Sequence, residues 1–151
     1  MPASRWAVRR RFAEMRGQIG ALDTLASEQG IDRIDRIEQL VPLLFPHTVY
    51  KSYPLSFLER ARFDRLTKWL DGLTTVDLSG VDASQVETID EWIGLLMRTT
   101  ELQPNHTFGT TGKLSFIPRV KRHWEKMARL TAHCLRDWHG SSSGPDLLSH
   151  H

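Results

Sequence analysis

Residues 106–119, HTFGTTGKLSFIPR, constrain the fold more than any other stretch of the chain. Glycine and threonine crowd the first half, a lysine sits at the pivot, and a short alternating run ends at a proline. Glycine density defeats a helix here, the alternation of residues 113–117 suits a strand, and Pro118 stops it. A β-hairpin with GTTG at or near its tip is the local form expected. Thr107, Gly109, Thr110, Thr111, Gly112 and Lys113 bring backbone N–H groups, three hydroxyls and one mobile cation. Those are the materials of a phosphate-binding loop, because glycine lets consecutive amides turn toward one anion and lysine supplies counter-charge. The loop of the P-loop nucleotide hydrolases is excluded. That pattern needs glycine where Thr107 stands and Ser or Thr where Leu114 stands. Composition leaves a plain Gly-Thr turn as the alternative.

The rest of the chain reads as helical. Residues 4–26 carry Phe12, Met15, Ile19, Leu22 and Ala26 at helical steps, with arginines on the other faces. Gly17 and Gly20 weaken this helix. The arginine cluster reads first as a solvated face, with nucleic acid or an acidic lipid surface as the alternatives. After a turn at Gln29 and Gly30, residues 32–44 place Ile34, Ile37, Leu40, Val41 and Leu44 on a second helix that Phe45-Pro46-His47 ends. Residues 49–54 are expected to be extended, with Tyr50 and Tyr53 packing the linker and leaving their hydroxyls at the edge.

Two S-x-x-E signatures announce further helices. Ser56 with Glu59 opens residues 56–73, with Leu58, Ala61, Leu66, Trp69, Leu70 and Leu73 inward. Ser84 with Glu87 opens the helix of Val86, Ile89, Ile93, Leu96 and Met97, whose stripe Trp92 widens. Asp71, Asp77, Asp82 and Asp90 fall on separate elements and read as caps and loops. A last helix to about Trp138 puts Val120, Trp124, Met127, Thr131, Cys134 and Trp138 on one face. The tail HGSSSGPDLLSHH is expected to be flexible.

At 151 residues, 40% hydrophobic, 25% charged and formally +2, the chain has the composition of one ordinary folded domain and is no polycation. It divides into an N-terminal helical arm (1–30), a helical segment (31–103), the loop-bearing hairpin with its helix (104–140) and a tail (141–151). The fold class expected is mainly α with a short β-hairpin. No secretory segment and no membrane span is foreseen. The lone Cys134 suits a reducing, cytoplasmic setting. His123, His133, His139, His150 and His151 lack zinc spacing, so no metal site is expected.

The segment 106–119 resembles the phosphate-binding loop of the adenylate-forming enzymes, Thr-Ser-Gly-Thr-Thr-Gly-Lys-Pro. It is most similar in setting to the acyl-protein synthetase and phenylacetate–CoA ligase-like branch. The similarity extends over roughly residues 30–138, including the linker from Tyr50 to Pro54. The resemblance implies a fragment of an α/β adenylation domain in which Thr107, Gly109, Thr110, Thr111 and Gly112 wrap the β- and γ-phosphates of ATP. Lys113 would steady the departing pyrophosphate while a carboxylate substrate attacks the α-phosphate, with Mg²⁺ as the accompanying ion. Phe108 stands where the family has serine, and Leu114 where it often has proline. The adenine pocket, the ribose-binding aspartate and the catalytic lysine of such enzymes lie beyond this loop. The chain is therefore expected to be a piece or subunit, inactive alone and completed by a complementary chain or by self-association. Two other classes compete: a noncatalytic helical module that binds a partner or pairs with itself, for which five tryptophans argue, and, last, a nucleic-acid binder.

Overall fold

The computed structural model describes residues 5–108 and 113–123, together with 125, 128, 129 and 131. Helices dominate, and one antiparallel β-hairpin is inserted late in the chain. The chain opens with α1 (Arg5–Gln18) and α2 (Gly20–Glu28), two helices where the sequence reads as one. Ile19 is extended, and the α2 entrance is held from outside by the Ala21 amide donating to the Gly72 carbonyl at 2.9 Å. A tertiary bond thus finishes the break that Gly17 and Gly20 invite. At the other end Gly30 takes φ +63°, with Gly30 N–H on Ser27 and Ile31 N–H on Ala26. This is a Schellman closure, which needs a left-handed residue just past the helix.

Residues 37–43 form a 3-10 helix rather than the α-helix expected over 32–44. Pro42 lies inside it; proline removes an amide and pushes the residue before it out of the α region. The three-residue period puts Leu40 and Leu43 inward but turns Val41 and Leu44 out, at 66% and 70% exposure. Ile37 shares the face of Leu40 and Leu43 but, as the first residue of the turn, stays 61% exposed, so the inward stripe expected of Ile37, Val41 and Leu44 is overturned. The connector is also not extended throughout, because His47–Lys51 forms a second 3-10 turn led by Pro46.

The expected helix over 56–73 is broken in two. A single turn, α3 (Ser56–Glu59), is followed by Ala61 at φ +49° and then by α4 (Phe63–Asp71). Leu55, not Ser56, is the N-cap of α3, and no side chain caps it. On one continuous helix Phe57 and Phe63 would point about 120° apart. The left-handed step at Ala61 lets both pack on the same cluster. α5 (Ile89–Thr99) starts later than expected. Its box is Thr88 with Glu91: the Glu91 amide donates to Thr88 Oγ1 at 3.2 Å, and Glu91 Oε2 accepts from the Thr88 amide at 3.2 Å. The amides of Glu87 and Thr88 hold the Glu91 carboxyl below its ordinary range. Ser84 instead donates its amide to Asp82 at 3.0 Å in a loop. Asp71 and Asp77 likewise accept from Leu78 and Ser79, as caps and loops require. Helical backbone resumes at 121–123; the expected course of that helix beyond residue 131 lies outside the described residues.

Two apolar clusters result. Phe12, Ala26, Ile34 and Leu43 form the first; the larger gathers Tyr53, Phe63, Leu66, Leu70, Trp92, Leu96, Leu102 and Phe116. Inside the second, Trp92 Nε1 donates to Thr67 Oγ1 at 2.8 Å, and that hydroxyl donates to the Phe63 carbonyl at 2.8 Å. Thr67→Val keeps the shape and strands the buried indole N–H, so it should cost about 1–3 kcal/mol in urea unfolding. Ala61→Gly relieves the left-handed backbone of an exposed residue and should raise stability by about 1 kcal/mol in the same assay.

Candidate functional site

β1 (Asn105–Phe108) and β2 (Leu114–Ile117) pair antiparallel, with Phe108 opposite Leu114, Thr107 opposite Ser115 and His106 opposite Phe116. The hairpin expected from the sequence is thus present, and residues 109–113 connect its strands. Pairing continues past the strands: Leu102 bridges Val120, the Gln103 amide reaches the Arg119 carbonyl at 2.7 Å, and the Lys121 amide reaches Glu101 at 3.0 Å. Alternation along β2 buries Leu114 and Phe116 and leaves Ser115 and Ile117 half-buried. Phe116 enters an aromatic nest, edge-on to Trp92 at 5.2 Å and tilted to Tyr53 at 5.5 Å; Tyr53 in turn meets Trp69 edge-on at 5.0 Å.

Tyr53 holds the start of β2 at two points. Its hydroxyl donates to the Leu114 carbonyl at 2.8 Å, and its own carbonyl accepts from the Lys113 ammonium. The same ammonium stands 4.4 Å from the centre of the Tyr53 ring, a cation–π geometry. Both observations correct the reading from sequence. The Tyr53 hydroxyl is buried rather than at an edge, because Leu114 offers an acceptor inside the fold. Lys113 is half-buried and docked rather than a mobile cation. Of the other candidate residues, Thr107 is exposed on β1, while Gly109, Thr110, Thr111 and Gly112 lie outside the described residues. Tyr53 is the partner that sequence reasoning missed: it stands 60 residues before Lys113, and no spacing rule links them.

The arginine-rich α1 is more than a solvated face. Arg16 reaches Asp23 at 2.7 Å, Asp32 at 3.1 Å, the Ile31 carbonyl at 3.2 Å and the Ser27 hydroxyl at 3.1 Å. Those carboxylates raise its pKa. Arg9 ties α1 to the Ile34 carbonyl at 3.0 Å and to Asp35. Beside these ties a groove of about 630 Å³ opens over Val8, Phe12, Met15, Leu22, Leu43 and Leu44. Among the described residues no group of three or more His, Cys, Asp or Glu could hold a metal ion, and no helix is long and apolar enough to cross a membrane.

Burial pushes the Tyr53 phenol up to about 12 from its ordinary 10.0. An acid whose pKa is raised by folding stabilises the fold fully below the unfolded value and loses that contribution as pH rises through the folded one. Wild-type stability should therefore fall more steeply between pH 10 and about 12 than that of Tyr53→Phe. Urea midpoints across this range check the difference. Below pH 10 the variant should be weaker by about 1 kcal/mol, the hydroxyl's bond to Leu114 being lost.

No protein-family model matches this sequence, no curated protein matches it, and no solved structure matches its fold.

Proposed function

We propose that the hairpin holds the phosphates of ATP and that the chain takes part in adenylate-forming, carboxylate-activating chemistry. The observation that supports this is the Phe108–Leu114 pair, which clamps both ends of the connection carrying Gly109, Thr110, Thr111 and Gly112, with Lys113 at its exit. The register fixes where the two ends of that segment meet, and its composition, glycine amides with threonine hydroxyls, suits an anion. Thr107, exposed one position before the end of β1, adds a hydroxyl.

In this reading Lys113 rests on a neutral acceptor, the Tyr53 carbonyl, until a triphosphate offers a charged one. On transfer it neutralises the β- and γ-phosphates. A substrate carboxylate oxygen then bonds to the α-phosphorus as the bond to the bridging oxygen breaks, giving acyl-AMP and pyrophosphate. The loop lowers the barrier by stabilising charge on the leaving group. Mg²⁺ is assigned to the nucleotide's own phosphates, since no metal-holding group stands among the described residues.

A second reading, a helical module that binds another protein or itself, is favoured by Trp6, Ile37, Val41 and Leu44, each more than 60% exposed. Calorimetric titration of ATP·Mg²⁺ into the wild type and Lys113→Ala separates the two. The phosphate loop predicts saturable binding that weakens at least about tenfold in the variant, a loss near 1.4 kcal/mol. Absent saturation, or identical isotherms, would sink it.

A further inference from the structure

The groove on the N-terminal cluster has a second property besides its size. Its floor is apolar and recessed, since Phe12 and Leu43 are each only 6% exposed. Among the described residues, the charged ones lining it are Arg10 and Arg11, both cationic. They share one carboxylate, Glu14, at 3.5 and 3.7 Å, and all three side chains are about half exposed. Long, solvated pairs of this kind contribute little, so an incoming carboxylate can displace Glu14. The Arg10 guanidinium also stacks 4.5 Å from the centre of the exposed Trp6 ring, which holds it at the surface. Leu44, also in the lining, is 70% exposed and extends the apolar surface outward from the floor.

We infer that this groove receives an amphipathic helix of a partner protein, with leucine-like anchors on the floor and Asp or Glu along the edge facing Arg10 and Arg11. Charge selects this occupant over a second copy. Groove-to-groove self-pairing would bring two cationic rims together over two recessed floors, and like charges across an interface oppose association. Shape favours it over a lipid surface, because Phe12 and Leu43 lie recessed where the ridge of a helix reaches and a flat bilayer does not. The inference rests on the interaction reading above and is independent of the phosphate loop.

The probe is a designed helix of about eighteen residues, with leucine at i, i+3, i+4 and i+7 and glutamate along the edges. Its control carries lysine in place of glutamate. Fluorescence anisotropy should give saturable binding of the glutamate helix and at least about tenfold weaker binding of the lysine helix. Leu44→Asp should remove binding; the position lines the groove and is exposed, so the fold persists. Arg10→Glu with Arg11→Glu should reverse the preference between helices. Equal binding of both helices would overturn the acidic occupant and leave the interaction reading standing. Failure of the glutamate helix to bind would overturn the inference. So would wild-type dimerisation dissolved by Leu44→Asp, or flotation with anionic vesicles in place of peptide binding.

Discussion

Everything around the loop depends on the burial of Phe116. Two strands of four residues do not hold together in water on their own pairing. Here the hairpin is secured because one side chain of β2 fills a space between Trp92 of α5 and Tyr53 of the connector, where it has no exposed surface. Aromatic contacts of this kind add to the large apolar area each ring removes from water. Through Phe116 the hairpin is fixed to elements more than twenty residues upstream.

Tyr53 converts that packing into control of the loop's exit. Its ring lies in the nest, its hydroxyl orients Leu114, and its carbonyl engages Lys113. The aromatic cluster, the strand register and the position of the loop cation are thus one coupled arrangement. A side chain that packs also sets where a positive charge rests. Any anion that draws Lys113 away competes with a single neutral acceptor and a ring face, and an ionised phosphate oxygen makes the stronger bond.

The N-terminal cluster follows a different logic. Arg16 is spent inside the molecule, gathering the end of α2 and the turn after it, whereas Arg10 and Arg11 remain at the rim of an apolar groove. Pro42 sits within the 3-10 turn of residues 37–43, which buries Leu43 in the cluster of Phe12 and leaves Val41 and Leu44 exposed.

Local chemistry was legible from the chain alone. Gly-Thr density followed by alternation specifies a hairpin, Gly30 specifies a helix stop, and the stripe of Leu66 and Leu70 specifies a buried face; each depends on neighbours within a few residues. The box read at Ser84 does not open the helix; Thr88 with Glu91 does, just ahead of the buried Trp92 and Leu96. The break at Ile19, completed by a carbonyl from Gly72, and the docking of Lys113 on Tyr53 belong to the tertiary structure. Both join residues more than fifty positions apart, and periodicity carries no information about such partners. The sequence by itself determined that the chain is mainly helical, with one late hairpin and a helix stop at Gly30. Only the folded chain decided where helices break, which arginines are consumed, and where the loop lysine rests.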